Sequence, residues 1–498
     1  MIKLKLLMEK YDVAIIGAGI SGFSAALRLQ KAGFKTITFE AHGQIGGCSG
    51  FFTKKGFSFD VGATTLVDFT NEGIGGQFLH EIGLPIPAGE YLDYIAWLPD
   101  RKVTLYRDPL KWNKERLNTL GSTERHKKFW KLMDKITEIF WTASRKNIKL
   151  PIQQLSDIKQ AIHAIGFKNL VYARYLKYSM LDVLKKFQLE NDKALVGFLS
   201  MLVEDTVHST LDKAPFINAA LGTTIRGAGL MRPKGGMKEF WQKLGAHYQI
   251  LGGNLRKGNL VLEIKQLENC WLLTTNKGIF HAKKLICSIP VDSIEKISPK
   301  YIQEKIHPFI VKNESLAGGA IVVFLAVPES EVNNQPLTHH QLLQDYGNVL
   351  GNGNNMFISV SAKDDLLSAP DGFRSVMIST HCELTEWQNL SEKEYYDKKS
   401  AITDHLITSA RRVYPSLGKN ALIIETGTPL TYQKFTHRTN GMVGGFKQTL
   451  LNSNFNAIPH YIGIKNFWLT GDNTWPGLGT VAGLISGRIA AEHARKNL

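Results

Sequence analysis

Gly17, Gly19 and Gly22 stand at GxGxxG spacing, and Glu40 follows eighteen positions after the last of them. Glycines so spaced let backbone N–H groups crowd a pyrophosphate, and a carboxylate about twenty residues on can accept from both hydroxyls of an adenosine ribose. The chemistry these residues point to is the holding of a dinucleotide. A carboxylate at position 40 also repels a 2′-phosphate, which disfavours NADP.

Glycine spacing alone occurs in many turns, so the elements around it must agree. Val13–Ile16 is a short apolar run suited to a strand buried on both faces. A helix follows at once, with Ile20 and Ser21 in its first turn, where free N–H groups and the helix dipole favour phosphate. Ala25, Ala26, Leu29 and Ala32 recur at helical spacing, Gly33 closes the helix, and Thr36–Phe39 predicts a second strand delivering Glu40. Strand, turn, helix, strand and acid make one complete βαβ unit.

Directly downstream lies HGQIGGCSG, residues 42–50. Gly46, Gly47 and Gly50 can take backbone angles that approach a ligand closely, and Ser49 can donate to a phosphate. An ordinary hairpin loop would use the same residues; the position after Glu40 favours a ligand loop. Cys48 is read as a small residue facing the cofactor, without chemistry of its own.

The 498 residues suffice for two or three domains, with the apolar and charged content of an ordinary globular protein. The four cysteines, Cys48, Cys270, Cys287 and Cys382, are far apart and form no CxxC, so neither zinc nor a disulfide framework is supported. The opening MIKLKLLMEK falls short of a signal-peptide apolar core, and reduced thiols in the cytoplasm are the expectation. The longest apolar run, Leu316–Val327, is below the roughly twenty residues a bilayer requires and predicts a buried strand.

The net charge of +16 is concentrated: residues 101–190 hold 20 Lys and Arg against 8 Asp and Glu. One reading is a basic surface lying peripherally on an anionic membrane, with Phe129, Trp130, Phe140, Trp141, Phe167, Tyr172, Tyr175 and Tyr178 as interfacial anchors. The other is solvated helices whose aromatics face their own core. No nucleic-acid-binding motif accompanies the charge, and nucleic acid is not expected as a partner.

The block GGCSGFFTKKGFSFDVGATT, residues 46–65, resembles the flavin-dependent carotenoid desaturase and isomerase family, especially its 3,4-desaturase and cis-trans isomerase branches. Amine oxidases and protoporphyrinogen oxidases usually carry an arginine-rich version of this loop, where this chain has Gln44 and Ile45, which argues against that side of the superfamily. RPKGGMKEFWQKLGAHYQILGGNLRKGNLVLEI, from Arg232, and FWLTGDNTWPGLGTVAGLISGRIAAEHA, residues 467–494, match two further family segments. The resemblance covers about the first 75 residues, residues 232–290 and the last 35.

The resemblance implies an α/β fold: a Rossmann-type FAD-binding domain of glutathione-reductase kind, as in the amine oxidase superfamily, with a discontinuous α+β substrate domain. The chain would then divide into cofactor segments 1–75, 232–290 and 459–498 and substrate segments 76–231, helical and basic, and 291–458. It implies FAD as cofactor, with the loop of Gly46 and Gly47 on the pyrophosphate and the segment through Gly62 returning toward the flavin. Val261 would meet the adenine through its backbone, and Gly471 and Asp472 the ribityl chain and phosphate. Thr480 and Val481, opening a C-terminal helix, would place backbone N–H groups near the flavin pyrimidine edge.

The activity so implied is desaturation or isomerisation of an extended hydrophobic polyene, with hydride passing to flavin N5 and quinone or dioxygen as electron acceptor. Retinol saturases, which reduce a polyene, and guanine-nucleotide dissociation inhibitors, which bind prenylated GTPases on the same fold, are the alternatives. No catalytic residue is assigned. His437 and Arg438 can be read as polar groups near a reacting carbon or as a solvated turn before Asn440-Gly441, and the turn is the favoured reading. Strands are expected at Ala320–Val327, Met356–Val360 and Ser375–Ser379, and an amphipathic helix over Glu392–Val413.

Overall fold

The computed structural model describes residues 10–224 and 228–496. Its first sheet takes strands from both ends and the middle of the chain. Lys10–Ile16 is central, flanked in parallel by Thr36–Glu40 and by Gly278–Cys287, and Asn254–Lys257 adds to the outer side of Thr36–Glu40. Gly278–Cys287 is long enough to serve two partners on its far edge. Its first half pairs antiparallel with Trp271–Thr275, which continues to Val261–Gln266, and its last residues pair in parallel with Phe467–Leu469.

Because Val13 to Ile16 are apolar without alternation, this strand buries both faces. One face is covered by helices Ile20–Lys31, Gly236–Ile250 and Thr480–Lys496, and the other by helices Val291–Ile297 and Lys300–Asn313. The first and last helices meet through small residues. A Cβ at Gly483 would lie 2.3 Å from Ile20, and one at Gly487 would lie 2.1 Å from Ser24 Oγ and 2.2 Å from the Ser21 carbonyl. The two ends of the chain are thereby locked face to face.

The second sheet has the order Ile423–Gly427, Gly318–Pro328, Phe373–Glu383, Asn355–Val360, His339–Leu343, Tyr94–Trp97, Lys102–Leu105. The apolar run expected as a strand is Gly318–Pro328, buried almost throughout. The strand expected at Ser375–Ser379 runs from Phe373 to Glu383, because it pairs along its whole length with Gly318–Pro328. Its polar final residues conceal that length in the sequence. Helix Glu392–Ala410 lies over this sheet, opened by a capping box between Ser391 and Glu394.

Helices dominate residues 109–224. The aromatics read as membrane anchors are mostly core. Phe129, Trp130, Phe140 and Tyr175 are buried, and Trp141, Tyr172 and Tyr178 pack against the same cluster. Helical spacing turns these rings inward, toward one another. Phe167 alone of the eight is largely exposed, at 82%, and its company is aliphatic: Leu155, Ile158, Ile162 and Val171. Among the described residues no helix is long and apolar enough to cross a membrane.

Candidate functional site

Strand Lys10–Ile16 runs into Gly17, whose φ of +96° suits glycine and where a Cβ would lie 2.9 Å from the Ser288 carbonyl oxygen. Gly19 faces open space, with nothing within 4 Å of its would-be Cβ. Gly22 does not line the cavity. A Cβ there would sit 2.2 Å from the Gly17 carbonyl and 2.6 Å from Ser288 Cβ, so this glycine seats the helix against the sheet. No side chain caps the helix at Gly19, which leaves the first-turn N–H groups at Ile20 and Ser21 free for an anion.

Glu40 ends its strand beside this turn. Its Oε2 accepts from Ala18 N–H and its Oε1 from His42 N–H, each at 2.9 Å. Burial pushes its pKa up, and the two N–H bonds only partly reverse this. Each oxygen keeps a lone pair for a further donor. The following loop is stitched to the same turn, since Gly46 N–H donates to the Ala18 carbonyl at 3.0 Å and Gly47 would bring a Cβ within 3.5 Å of Gly19 Cα.

Ser49 does not offer its hydroxyl to a phosphate. Its Oγ donates to the Gly46 carbonyl at 2.9 Å, and its own carbonyl accepts from Trp241 Nε1 at 2.6 Å, which holds the loop on helix Gly236–Ile250. A Cβ at Gly62 would fall 2.4 Å from the Cys48 carbonyl, so these two backbones run in contact. Cys48 faces the cavity, and burial raises its thiol pKa, which keeps it protonated. Val261 opens its strand with the cavity beside it, and the chain just before is tied in by Asn259 N–H donating to the Glu40 carbonyl at 2.8 Å.

At the other end, Gly471 takes φ +124° and donates its N–H to Ser486 Oγ at 3.0 Å. Asp472 is held in an ion pair with Arg438 at 2.7 Å. Arg438 is therefore no solvated turn residue. Burial disfavours its charge, Asp472 more than compensates and raises its pKa, and its Nη1 is buried without a hydrogen-bond partner. Helix Thr480–Lys496 begins at the cavity, and Gly483 N–H reaches back to Gly479. The N–H groups of Thr480 and Val481 precede that first bond and are not used within the helix. Val481's side chain packs against the core and, with Gly22, is one of the two expected site residues outside the cavity lining.

All the others meet in one cavity of about 1060 Å³: Gly17, Gly19, Ile20, Ser21, Glu40, Gly46, Gly47, Ser49, Gly62, Val261, Gly471, Asp472 and Thr480 line it. Glu40 and Asp472, 432 positions apart, thus share one chamber. The cavity continues to the second sheet, past Met201, Val322, Phe324 and Phe357, and includes Glu204, His208, Asn355 and His381, which motif reading does not connect. Gly479, like Gly19, would direct a Cβ into open space, and Arg438 Nη1 awaits an acceptor. Two helix N-termini with unused donors, a cavity-facing carboxylate with lone pairs to spare and an orphan guanidinium nitrogen fit a flavin dinucleotide.

Fold and site define a flavoprotein of the dinucleotide-binding α/β class with a second, sheet-based domain closing the cavity. The chain belongs to the flavin containing amine oxidoreductase family, whose model matches residues 20–494, and FAD is its cofactor. The departure of Gln44-Ile45 from the arginine-rich loop does not take it out of that family. It is 26% identical to prolycopene isomerase of Daucus carota over 98% of this chain and 81% of that protein. It is 22% identical to 4,4′-diapophytoene desaturase of Staphylococcus aureus, over 98% of this chain and 99% of that one. In fold it matches an oxidoreductase of Methanosarcina mazei, with TM-score 0.64, 16% identity, and 97% and 100% of the two chains covered. Cyclohexylamine oxidase of Brevibacterium oxydans matches with TM-score 0.62 and 15% identity over 98% and 99%.

Proposed function

We propose that this FAD-dependent oxidoreductase acts on an extended hydrophobic polyene, by carotenoid-type desaturation or isomerisation. The observation that carries the reading is the continuity of the cavity, which runs from the dinucleotide turn to an apolar chamber walled by Phe324, Phe357 and Met201. A long apolar substrate gains about 25 cal/mol for each Å² of surface it buries there. The sequence relatives that span the chain, a prolycopene isomerase and a 4,4′-diapophytoene desaturase, support the same substrate class.

In this reading the backbone N–H groups of Gly19, Ile20, Ser21 and Gly47 hold the pyrophosphate, with Gly46 fixing the loop against the turn, Glu40 holds the adenosine ribose, and the backbone at Val261 the adenine. Asp472 and Arg438 together hold the ribityl and phosphate part, and the first-turn N–H groups at Thr480 and Val481 offset charge on the flavin. When bound, the flavin supplies hydride acceptance, and quinone or dioxygen serves as the final acceptor. The chain itself orients the polyene and excludes water.

The exposed aliphatic side chains Leu155, Ile158, Ile162 and Val171, with Phe167, stand among exposed Lys159, Lys168, Arg174 and Lys177. This combination supports peripheral seating on an anionic bilayer from the cytoplasmic side, where such a substrate dissolves. The test of function is incubation of the FAD-loaded protein with prolycopene and 4,4′-diapophytoene in liposomes, oxidised and pre-reduced, with products separated by chromatography. Formation of a desaturated or isomerised product supports the reading. A product with fewer double bonds would make the protein a saturase, and no change in either polyene would overturn it.

A further inference from the structure

The cavity wall next to the flavin motif carries a polar group assembled from three distant segments. Glu204 lies in the last turn of helix Lys193–Val207, and His208 follows in left-handed backbone at φ 56°, its N–H on the Glu204 carbonyl at 3.0 Å. His381 reaches across from strand Phe373–Glu383 to place Nδ1 2.7 Å from a Glu204 carboxylate oxygen. Asn355 Nδ2 donates to the other oxygen at 2.8 Å. The rings of His208 and His381 stand 4.2 Å apart between centroids.

Their place in the cavity is fixed by two glycines. A Cβ at Gly444 would fall 2.3 Å from His208 Cε1, and one at Gly445 would fall 2.4 Å from the Asp472 carbonyl. Consecutive Cα atoms are about 3.8 Å apart. A single thickness of backbone therefore touches the imidazole with one residue and the flavin-motif turn with the next. The same segment continues to Gln448, whose N–H bonds the Val207 carbonyl at 3.1 Å and whose side chain bonds Pro476 at 3.0 Å.

The charges are set by contact. Burial opposes ionisation of Glu204, but the imidazolium of His381 overrides it and lowers its pKa; burial likewise opposes the His381 cation, and Glu204 overrides it and raises that pKa. His208, desolvated and facing the cationic ring, is held neutral, with a pKa lowered to about 3. The other charged groups facing the cluster are Lys447, paired with Glu383, and Asp205, which accepts from Gln341 at 2.9 Å.

We propose that His208 is the proton acceptor of this cavity, and that Glu204 and His381 are positioning residues that keep it oriented. The assignment rests on the polyene reading. In the desaturation step one carbon gives up a hydride to the flavin, and its neighbour gives a proton to a ring nitrogen of His208. The electrons of that second C–H bond become the new π bond, so the substrate loses two hydrogens and two electrons and the flavin gains the electron pair. A proton beside a developing carbocation is strongly acidic, and a weak base suffices. What the step demands is an acceptor that is unprotonated and dry.

The test uses FAD-loaded protein, with FAD affinity and thermal unfolding as controls, and variants His208→Gln and Glu204→Gln. Anaerobic flavin reduction by 4,4′-diapophytoene is expected to slow by about 10²- to 10⁴-fold in His208→Gln, the usual contribution of a general base. Histidine NMR of the wild type, with the rings assigned by single His→Gln variants, is expected to show His381 charged and His208 neutral near pH 7. In Glu204→Gln the charged ring should lose its proton near neutrality, and the neutral ring should titrate closer to the ordinary ~6.5. A wild type that is reduced while His208→Gln is reduced as fast overturns the assignment alone, as does titration of both His208 and His381 near ~6.5 in the wild type. A wild type that 4,4′-diapophytoene does not reduce overturns the desaturation step and the assignment with it, and the polyene reading falls as well only where prolycopene also stays unchanged.

Discussion

Replacing Glu40 with glutamine isolates the charge that the dinucleotide ribose is expected to meet. The carboxylate's two oxygens are each engaged by a backbone N–H, from Ala18 and from His42, and each keeps one lone pair for a hydroxyl. Hydrogen bonds to a charged group contribute about 1.5–3 kcal/mol, against about 0.5–1.5 for neutral pairs. Losing the charge across two ribose hydroxyls therefore removes about 2–3 kcal/mol, or roughly 30- to 150-fold in FAD affinity. The fold has less to lose. Because burial raises the folded pKa of Glu40 above its ordinary 4.5, its contribution to stability declines as pH rises from 4.5 through that folded value. Glutamine escapes that penalty, but its NH₂ group cannot accept, which leaves one buried backbone N–H unpaired at a cost of about 1–3 kcal/mol. Titration of apoprotein with FAD, followed by flavin fluorescence at neutral pH beside a thermal melt, measures both. An unchanged FAD Kd in a folded Glu40→Gln protein would refute the placement of the ribose on this carboxylate.

Gly487→Ala, whose Cβ would meet Ser24 Oγ and the Ser21 carbonyl within 2.2 Å, should lower stability by about 1–3 kcal/mol or more in urea unfolding, with FAD affinity falling because the two terminal helices part. Arg438→Met should leave Asp472 without its ion-pair partner and weaken FAD binding by at least tenfold, read by equilibrium dialysis. His340 and His460 are fully buried and held neutral, with pKa values lowered to about 4 and about 3. The unfolded chain binds their protons from an ordinary 6.5 downward, so each should cost about 2 kcal/mol of stability by pH 5, measurable as a falling urea midpoint that flattens in the His340→Gln, His460→Gln double variant. Leu155→Glu with Phe167→Glu should abolish flotation with anionic liposomes; equal flotation with neutral vesicles, or none by the parent, would remove the electrostatic account.

Much of the cofactor half was legible because its residues do their work within short stretches. A GxGxxG turn, the helix after it and the acid at the end of the next strand are constrained by local backbone geometry, so spacing alone recovers them. Misreadings arose where a side chain's partner is not fixed by the spacing of the motif. Ser49 looked like a phosphate donor, but Gly46 and Trp241 take its hydroxyl and carbonyl. Arg438 looked solvated, but Asp472 lies 34 positions away in sequence and 2.7 Å away in space.

The residues on the second-sheet side of the cavity were illegible for a stronger reason. Glu204 ends a helix that reads as an ordinary apolar helix, and His381 lies in the polar end of a strand whose length only pairing with Gly318–Pro328 reveals. Neither position carries a local signature, because their chemistry comes from a 2.7 Å approach between elements 177 residues apart. The two halves of the cavity consequently differ in what damages them. A substitution in the dinucleotide turn alters one short stretch of backbone and should be read first in FAD affinity. At the Glu204–His381 pair, removing the carboxylate takes away what keeps the buried imidazole charged, and the ring gives up its proton. The readout there should be the ionisation of the neighbouring imidazole, with FAD affinity unchanged, since Gly444 and Gly445 interpose backbone between the pair and the turn at Asp472.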